Sequence, residues 1–211
     1  MPLQNRVTPF GEPIATPARG LVYGNRGCLH DDDGRIRRRY AVKRWIACRL
    51  RFRGWHRSPL LQPGKFTELF FLDEATALAA GHRPCALCRR EDFVRFCQIW
   101  QELYPGERGA DAMDARLHEE RVDQRTRRQR RHPLPEGLLP DGVFLANGND
   151  AFVVFDGSLR RWTPSGYEHV REPRTGSLEL ITPPSLVEVV RRGWDPVVPF
   201  LHPSAGRRPP G

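Results

Sequence analysis

Lysine is almost absent from this 211-residue chain, in which Lys43 and Lys65 are the only two lysines among 34 basic residues. The sequence also lacks an apolar run of about 18 residues, the length that predicts a membrane-spanning helix. Its first residues, MPLQNRVTPFGEP, are polar and proline-rich, unlike a secretory leader. We therefore expect a cytoplasmic protein with no membrane partner, in which thiols stay reduced.

Cysteine is scarce, with five residues in the chain, and the number is odd. Cys85 and Cys88 form a C-x-x-C pair, which in a reducing compartment favours a metal site over a disulfide. Two thiolates at this spacing can bind one tetrahedral Zn²⁺. Redox C-x-x-C pairs usually follow a strand, whereas this pair lies between two predicted helices. The sequence therefore predicts zinc as a cofactor.

Cys48 is the predicted third zinc ligand, because it lies on the inner face of a predicted strand. The fourth ligand is open between Cys28 and His30, which both lie in the segment GNRGCLHD. His56 is a further alternative, although arginines surround it in the sequence. A small core stapled by a metal is a common solution for chains of this size.

The basic residues predict a polyanionic partner. The net charge is +9, and between residues 34 and 67 the chain has eleven basic residues and no acidic residue. Arginine presents a planar fork to phosphates and a flat face to bases. We therefore expect a nucleic-acid partner, with DNA favoured over RNA.

The segment RWIACRLRFR, residues 44–53, alternates with the period of two that is typical of a strand. Its inner face would carry the apolar residues, and its outer face would carry Trp45 and three arginines. Such a face would track phosphates and stack on a base. The predicted nucleic-acid contacts are Trp45, Arg49, Arg51, Arg53, Arg83, Arg89 and Arg90.

The segment FFLDEATALAAGHRPCALCRR, residues 70–90, resembles the zinc module of the Ada adaptive-response DNA-repair family. The positions that match are Ala75, Ala79, Ala80, Gly81, Arg83, Pro84, Cys85 and Cys88. The resemblance covers residues 40–95 and implies a zinc-stabilised α+β module that contacts DNA and has a link to DNA repair. In that family a thiolate of a C-x-x-x-C pair accepts a methyl group. Cys48 has no such neighbour, so we expect no methyl acceptance.

The whole pattern predicts an α+β fold. A strand in TELFFL leads to a helix capped by Asp73 and ended by Gly81, and a second helix begins near Arg90 with an apolar stripe that includes Cys97 as a core residue. A polar helix, a proline-rich linker and a β-meander follow. The predicted units are a zinc-binding module with an N-terminal extension (1–105), a charged helix and linker (106–140), a β-rich subdomain (141–202) and a disordered tail (203–211).

Asp114, His118 and Arg121 are candidate catalytic residues, because their spacing puts them on one face of the polar helix. An acid, an imidazole and a guanidinium can act as base and phosphate clamp. His30 is a fourth candidate. The alternative is a solvated helix with ordinary i,i+4 charge pairs. Likewise the segment RWTPSGY, residues 161–167, is either a base-stacking loop or part of the core.

Two functions from different classes remain. The favoured one is a zinc-stabilised nucleic-acid-binding protein that is linked to DNA repair or processing. The alternative is a zinc-containing enzyme that acts on nucleic acid, a nuclease or a repair hydrolase, with the polar helix as its active-site face. The two predict different surroundings for that helix: an enzyme needs it to face a cleft that a substrate can enter.

Overall fold

The protein is described by a computed structural model, which covers residues 1–55, 58–170 and 177–206. These residues form two β-sheets, four α-helices and a short 3₁₀ helix, which confirms the α+β class. None of the helices in these ranges combines the length and the apolar composition that crossing a membrane requires.

The first sheet has six strands in the order β2-β1-β5-β3-β4-β6. The strands are β1 (Gln4–Val7), β2 (Pro13–Ala15), β3 (Val22–Asn25), β4 (Ile46–Cys48), β5 (Leu69–Phe71) and β6 (Arg83–Pro84). β3 pairs antiparallel with β4 and β5, and β6 pairs parallel with β4. The chain therefore returns after the first helix to the edge of β4, where the next residues bring in the C-x-x-C pair.

β4 is much shorter than the strand predicted for residues 44–53. It begins at Ile46 and ends at Cys48, and Leu50 is 40% exposed. Arg53 and Gly54 then adopt positive φ angles of 48° and 68°, which turn the chain away from the sheet. The alternating pattern continued past the point where a neighbouring strand was available, and a strand without a partner does not form. The inward position predicted for Cys48 is confirmed, since it is buried.

The helix after β5 has the ends that the sequence predicts. Helix α1 (Glu74–Ala79) begins after Asp73, whose carboxylate accepts a hydrogen bond from the Thr76 amide at 2.9 Å. Gly81 follows the helix with a φ of +80°, and a Cβ there would lie 2.4 Å from Cδ of Arg121. Glycine is therefore required for two reasons, its backbone conformation and the close approach of the Arg121 side chain.

Three helices share a second apolar core. They are α2 (Arg90–Leu103), α3 (Gly109–Arg121) and α4 (Pro184–Arg191). The predicted stripe of α2 provides Phe96 and Trp100 to this core, and Cys97 packs at its edge as an apolar residue. Met113 and Leu117 give the otherwise polar α3 its buried seam.

The second sheet has the order β10-β9-β8-β7-β11. Its strands β7, β8 and β9 form the predicted meander, and β10 is a further strand that was not predicted. Its strands are β7 (Phe144–Asn147), β8 (Asp150–Phe155), β9 (Ser158–Thr163), β10 (Gly166–His169) and β11 (Glu179–Leu180). In RWTPSGY, Tyr167 is buried in the core and Trp162 packs against it. This placement matches the core interpretation of that segment.

The two halves of the chain share a core. Leu72 and Ala75 pack with Phe144 and Tyr167, and the Tyr167 hydroxyl donates to Asp73 at 2.7 Å. The division of the chain into the units predicted from the sequence stays a prediction. Pro203–Gly206 form a 3₁₀ helix packed on this core, so the predicted disordered tail is wrong for these four residues. The rest of that segment, 207–211, lies outside the described residues.

Candidate metal centre and basic surface

Strand pairing brings three cysteines together. Pro84 of β6 lies opposite Ala47 of β4, and the amide of Cys85 donates to the Ala47 carbonyl at 2.9 Å. The sulfur atoms of Cys48, Cys85 and Cys88 all lie within 4.8 Å of one another, and all three side chains are buried. These are the three cysteines that the sequence singled out, and together they could hold a metal ion.

The spacing of the three sulfur atoms fits a tetrahedral metal. A metal–sulfur distance of about 2.3 Å places sulfur atoms about 3.8 Å apart, inside the observed limit. The site also favours negative charge: hydrogen bonds with Cys48 and Cys88 lower the pKa of Cys85 to about 2. The same contacts raise the pKa of Cys48. Three thiols in contact thus stabilise one thiolate, and a bound cation would stabilise all three.

The predicted fourth ligands lie elsewhere. The Cys28 thiol contacts the His30 carbonyl at 3.6 Å. The His30 ring has both nitrogens occupied, Nδ1 by the Thr67 hydroxyl at 2.6 Å and Nε2 by the Gln62 carbonyl at 3.1 Å. Among the described residues the metal-binding group contains the three cysteines alone. His56 lies outside the described residues. None of the residues that the structure describes therefore adds a fourth ligand to this arrangement.

Two arginines predicted to contact nucleic acid are buried in ion pairs instead. Arg83 donates from Nε and Nη2 to the carboxylate of Asp114, at 2.9 and 2.7 Å. Arg89 pairs with Glu74 and Asp92, each at 2.7 Å. The prediction for Arg83 and Arg89 is wrong, because acidic residues from α1, α2 and α3 reach them. The i,i+3 pair of Arg89 and Asp92 is local and visible in the sequence, whereas Glu74 and Asp114 approach from other elements.

Trp45 is also inside the protein, and the prediction that it stacks on a base is wrong. It is 3% exposed, and its indole nitrogen donates to the Val42 carbonyl at 2.8 Å. The guanidinium carbons of Arg26 and Arg121 lie 4.5 and 4.0 Å from its ring centre. β4 begins only at Ile46, so Trp45 lies outside the strand. The alternation of strand faces, which predicted an outward side chain, does not apply to it, and the indole lies inside the protein.

The predicted catalytic face of α3 is its buried face. Asp114 is paired with Arg83, and His118 packs edge-on against Tyr40 with ring centres 4.9 Å apart. Arg121 is fully buried and donates to the carbonyls of Gly81 and Lys43. The three residues do share one face, as predicted, but that face packs into the protein. Asp114 and His118 are thereby closed to a substrate, and they do not form the cleft that an enzyme needs.

An open groove lies beside the cluster of three cysteines, and we call it the arginine-aromatic groove. It has a volume of about 800 Å³. Its lining residues are Leu50, Arg51, Phe52, Arg53, Gly54, Trp55, Ser58, Leu60 and Phe70. Trp55 is 56% exposed and meets Phe52 edge-to-face, with ring centres 5.6 Å apart. Trp55 is not among the predicted site residues, although its place in RFRGWHR, among arginines and after a glycine, is a signal for an exposed aromatic residue.

A smaller recess of about 190 Å³ continues from this groove to the cysteines. Phe52 and Arg53 line both, and Arg49, Leu87, Cys88, Arg90 and Glu91 complete the recess. Arg51, Arg53 and Arg90 are exposed and Arg49 is half-buried. Four of the seven predicted nucleic-acid residues are therefore grouped within reach of one another around a single depression.

No protein-family model, curated protein or solved structure matches the chain. The site must therefore be interpreted from its own geometry.

Proposed function

We propose that this protein is a zinc-stabilised nucleic-acid-binding protein. Cys48, Cys85 and Cys88 hold Zn²⁺, and the arginine-aromatic groove beside them binds a single-stranded stretch of nucleic acid, DNA in the first instance. The observation that carries the proposal is the contact of exposed Trp55 with half-buried Phe52, flanked by Arg51 and Arg53.

The chemistry of this groove matches an unpaired strand. Base stacking on an aromatic side chain contributes about 1–3 kcal/mol per base, and it tolerates any sequence. None of the described residues that line the groove is acidic, so phosphates meet guanidinium groups without repulsion. The Arg53 guanidinium also lies 5.1 Å from the Phe52 ring centre, which holds charge and aromatic surface together.

Zinc has a structural role in this proposal. Soft thiolate ligands favour Zn²⁺ among the common divalent ions of the cell. The ion would fasten the end of β4 to the turn after β6, because Cys48 comes from one and Cys85 from the other. The loop that carries Arg51 to Trp55 starts directly after Cys48. Metal binding at Cys48 would therefore fix the position of the first residues of the loop that lines the groove.

The enzymatic alternative has less support. A nuclease built on α3 would need Asp114 and His118 at an open surface, whereas both are buried. The link to DNA repair rests on the resemblance to the Ada family alone, and the groove supports binding without indicating a reaction.

Fluorescence anisotropy with a labelled single-stranded oligonucleotide, over a range of salt concentrations, tests the proposal. Trp55→Ala should weaken binding by about 1–3 kcal/mol with little change in salt dependence. Arg51→Gln with Arg53→Gln should reduce the slope of log K against log salt by about 1.4, or about 0.7 for each phosphate that is no longer neutralised.

The matched control is the double variant Arg38→Gln with Arg108→Gln, which removes two exposed arginines that line neither the groove nor the recess. It should leave the oligonucleotide affinity close to that of the unmodified protein. If the variant lacking Arg51, Arg53 and Trp55 binds like the unmodified protein at every salt concentration, while retaining its zinc, the groove is not the nucleic-acid surface.

A further inference from the structure

A second basic feature lies on the other side of Trp45, and it is buried. Arg26 and Arg121 are 1% and 0% exposed, and both guanidinium groups stack on the same indole ring. In the described part of the chain neither forms an ion pair with a carboxylate. Two like charges are thus held close together inside the protein, which is unfavourable unless an anion compensates them.

The hydrogen bonds of the two arginines leave donors free. Arg26 donates from Nη2 to the Gly11 carbonyl at 2.6 Å, and Arg121 donates from Nη1 to the Gly81 carbonyl at 2.6 Å. The Nε atoms of both side chains are buried and have no partner. Asp114, an acid whose charge acts on Arg121, is already paired with Arg83.

Burial destabilises the charged form of both guanidinium groups. Burial, with the neighbouring charge of Arg39, lowers the pKa of Arg26 to about 9. Burial likewise lowers the pKa of Arg121 to about 9, and the charge of Asp114 only partly opposes this. A bound anion would reverse the cost of burial for both residues at once, because it would supply the charge that the fold leaves out.

Arg26 and Arg121 line a narrow recess of about 10 Å³, which is room for one oxygen atom. Its other lining residues are Phe10, Gly11, Arg39, Trp45, Val122, Arg127, Arg128 and Gln129. The recess adjoins a larger groove of about 600 Å³, and Phe10, Arg128 and Gln129 line both. Exposed Arg128 therefore lies between the buried arginines and the open groove, and exposed Arg127 lines the recess alone.

We propose that this recess binds the phosphate group of a small phosphorylated ligand. One phosphate oxygen enters between Arg26 and Arg121, the other oxygens meet Arg127 and Arg128, and the body of the ligand lies in the adjoining groove. Arginine forks match the oxygens of a phosphate with paired, charge-assisted hydrogen bonds.

The adjoining groove restricts the kind of phosphorylated ligand. Glu12 and Asp123 line it, and Glu12 also pairs with Arg39 at 3.0 Å. These carboxylates share the lining with Arg128, Arg130 and Arg131, so the groove carries charges of both signs and is not a continuous basic track for a nucleic-acid strand. A ligand with one charged end and a polar, uncharged body does fit, as in a nucleoside monophosphate. The site shares no residue with the arginine-aromatic groove, so the two proposals can be tested independently of each other.

Isothermal titration calorimetry with the full chain, at an ionic strength held constant with potassium chloride, tests the proposal. Inorganic phosphate and adenosine 5′-monophosphate should each bind saturably at one site, and adenosine should not. Equal affinity for the first two identifies free phosphate as sufficient. Tighter binding of the monophosphate shows that the groove holds the nucleoside. Absence of binding by both phosphate compounds overturns the proposal.

Arg121→Gln should weaken phosphate binding about thirtyfold or more, because it removes one partner of a buried charge contact. If that variant does not fold, as judged by circular dichroism, the exposed Arg128→Gln should weaken binding several-fold and decides the question. Arg108→Gln, which lines neither the recess nor its groove, should bind phosphate normally. Phosphate affinity unchanged in the variant at Arg121 or Arg128, or lost equally in the variant with Arg51→Gln and Arg53→Gln, would refute the site.

Discussion

The ion pair between Arg83 and Asp114 should make a large contribution to stability, and Asp114→Ala is the change that tests it. Both side chains are almost completely buried, and two hydrogen bonds of 2.9 and 2.7 Å join them. Arg83 is in β6, immediately before the turn that carries Cys85, and Asp114 is in α3. The pair therefore connects α3 to the cluster of three cysteines.

The expected cost follows from the charge that remains. In Asp114→Ala the Arg83 guanidinium stays buried and keeps only its hydrogen bond to the Pro84 carbonyl at 3.2 Å. Loss of one partner from a buried ion pair costs about 3–5 kcal/mol. The better helix propensity of alanine returns only about 0.5 kcal/mol. We therefore expect the free energy of unfolding to fall by about 3–4 kcal/mol.

Urea denaturation with saturating zinc measures this change, provided that the dependence of the free energy on urea is unaltered. Glu119→Ala is the matched control, because Glu119 is an exposed acid on the same helix. It should change the free energy of unfolding by no more than about 0.5 kcal/mol. The double variant Arg83→Met with Asp114→Leu should recover most of the loss, since it removes both charges together.

A different result would refute this account of the pair. If Asp114→Ala unfolds at the same urea concentration as Glu119→Ala, the pair is not desolvated in the folded protein. If the double variant is as unstable as the single one, the loss reflects packing around α3 and not an unpaired charge.

Three further predictions concern other parts of the molecule. The purified protein should carry about one equivalent of Zn²⁺ by atomic emission, and Cys85→Ser should lose both metal and cooperative unfolding while Cys97→Ser keeps them. Burial lowers the pKa of His118 from 6.5 to about 4, so the unfolded chain binds more protons between these values and stability rises with pH across that window. His118→Gln should reduce this slope, measured by urea denaturation at several pH values, by up to about 1.4 kcal/mol per pH unit. Gly81→Ala should lower the free energy of unfolding by about 1–3 kcal/mol, because of its φ of +80° and a 2.4 Å contact, whereas Gly106→Ala, with open space around it, should be nearly neutral.

Local signals in the sequence determined most of the secondary structure and identified the three cysteines that could hold a metal ion. The cap at Asp73, the stripe around Phe96 and the turns of the β-meander each act over a few residues, so they could be recognised without knowledge of the fold. The C-x-x-C pair is also local, and Cys48 joined it through strand alternation that held as far as β4 extends.

The sequence could not decide which basic residues would meet solvent. Arg83 and Arg89 are buried because Asp114 and Glu74 approach from other elements, and Arg51 and Arg53 are exposed because the chain leaves the sheet after Cys48. A charged side chain enters the protein only where the tertiary structure supplies its partner. Net charge and spacing show where the charged side chains are in the sequence, but they do not show which distant residues become their partners.

The two tryptophans make the same distinction. Trp45 and Trp55 both lie among arginines in the sequence, yet Trp45 is enclosed by Arg26 and Arg121 while Trp55 faces an open groove. The sequence determined that arginine and tryptophan lie side by side along this part of the chain. Only the packing of α3 and the N-terminal sheet around Trp45 decided which tryptophan is buried, because burial depends on which distant elements come into contact and not on the residues beside it in the chain.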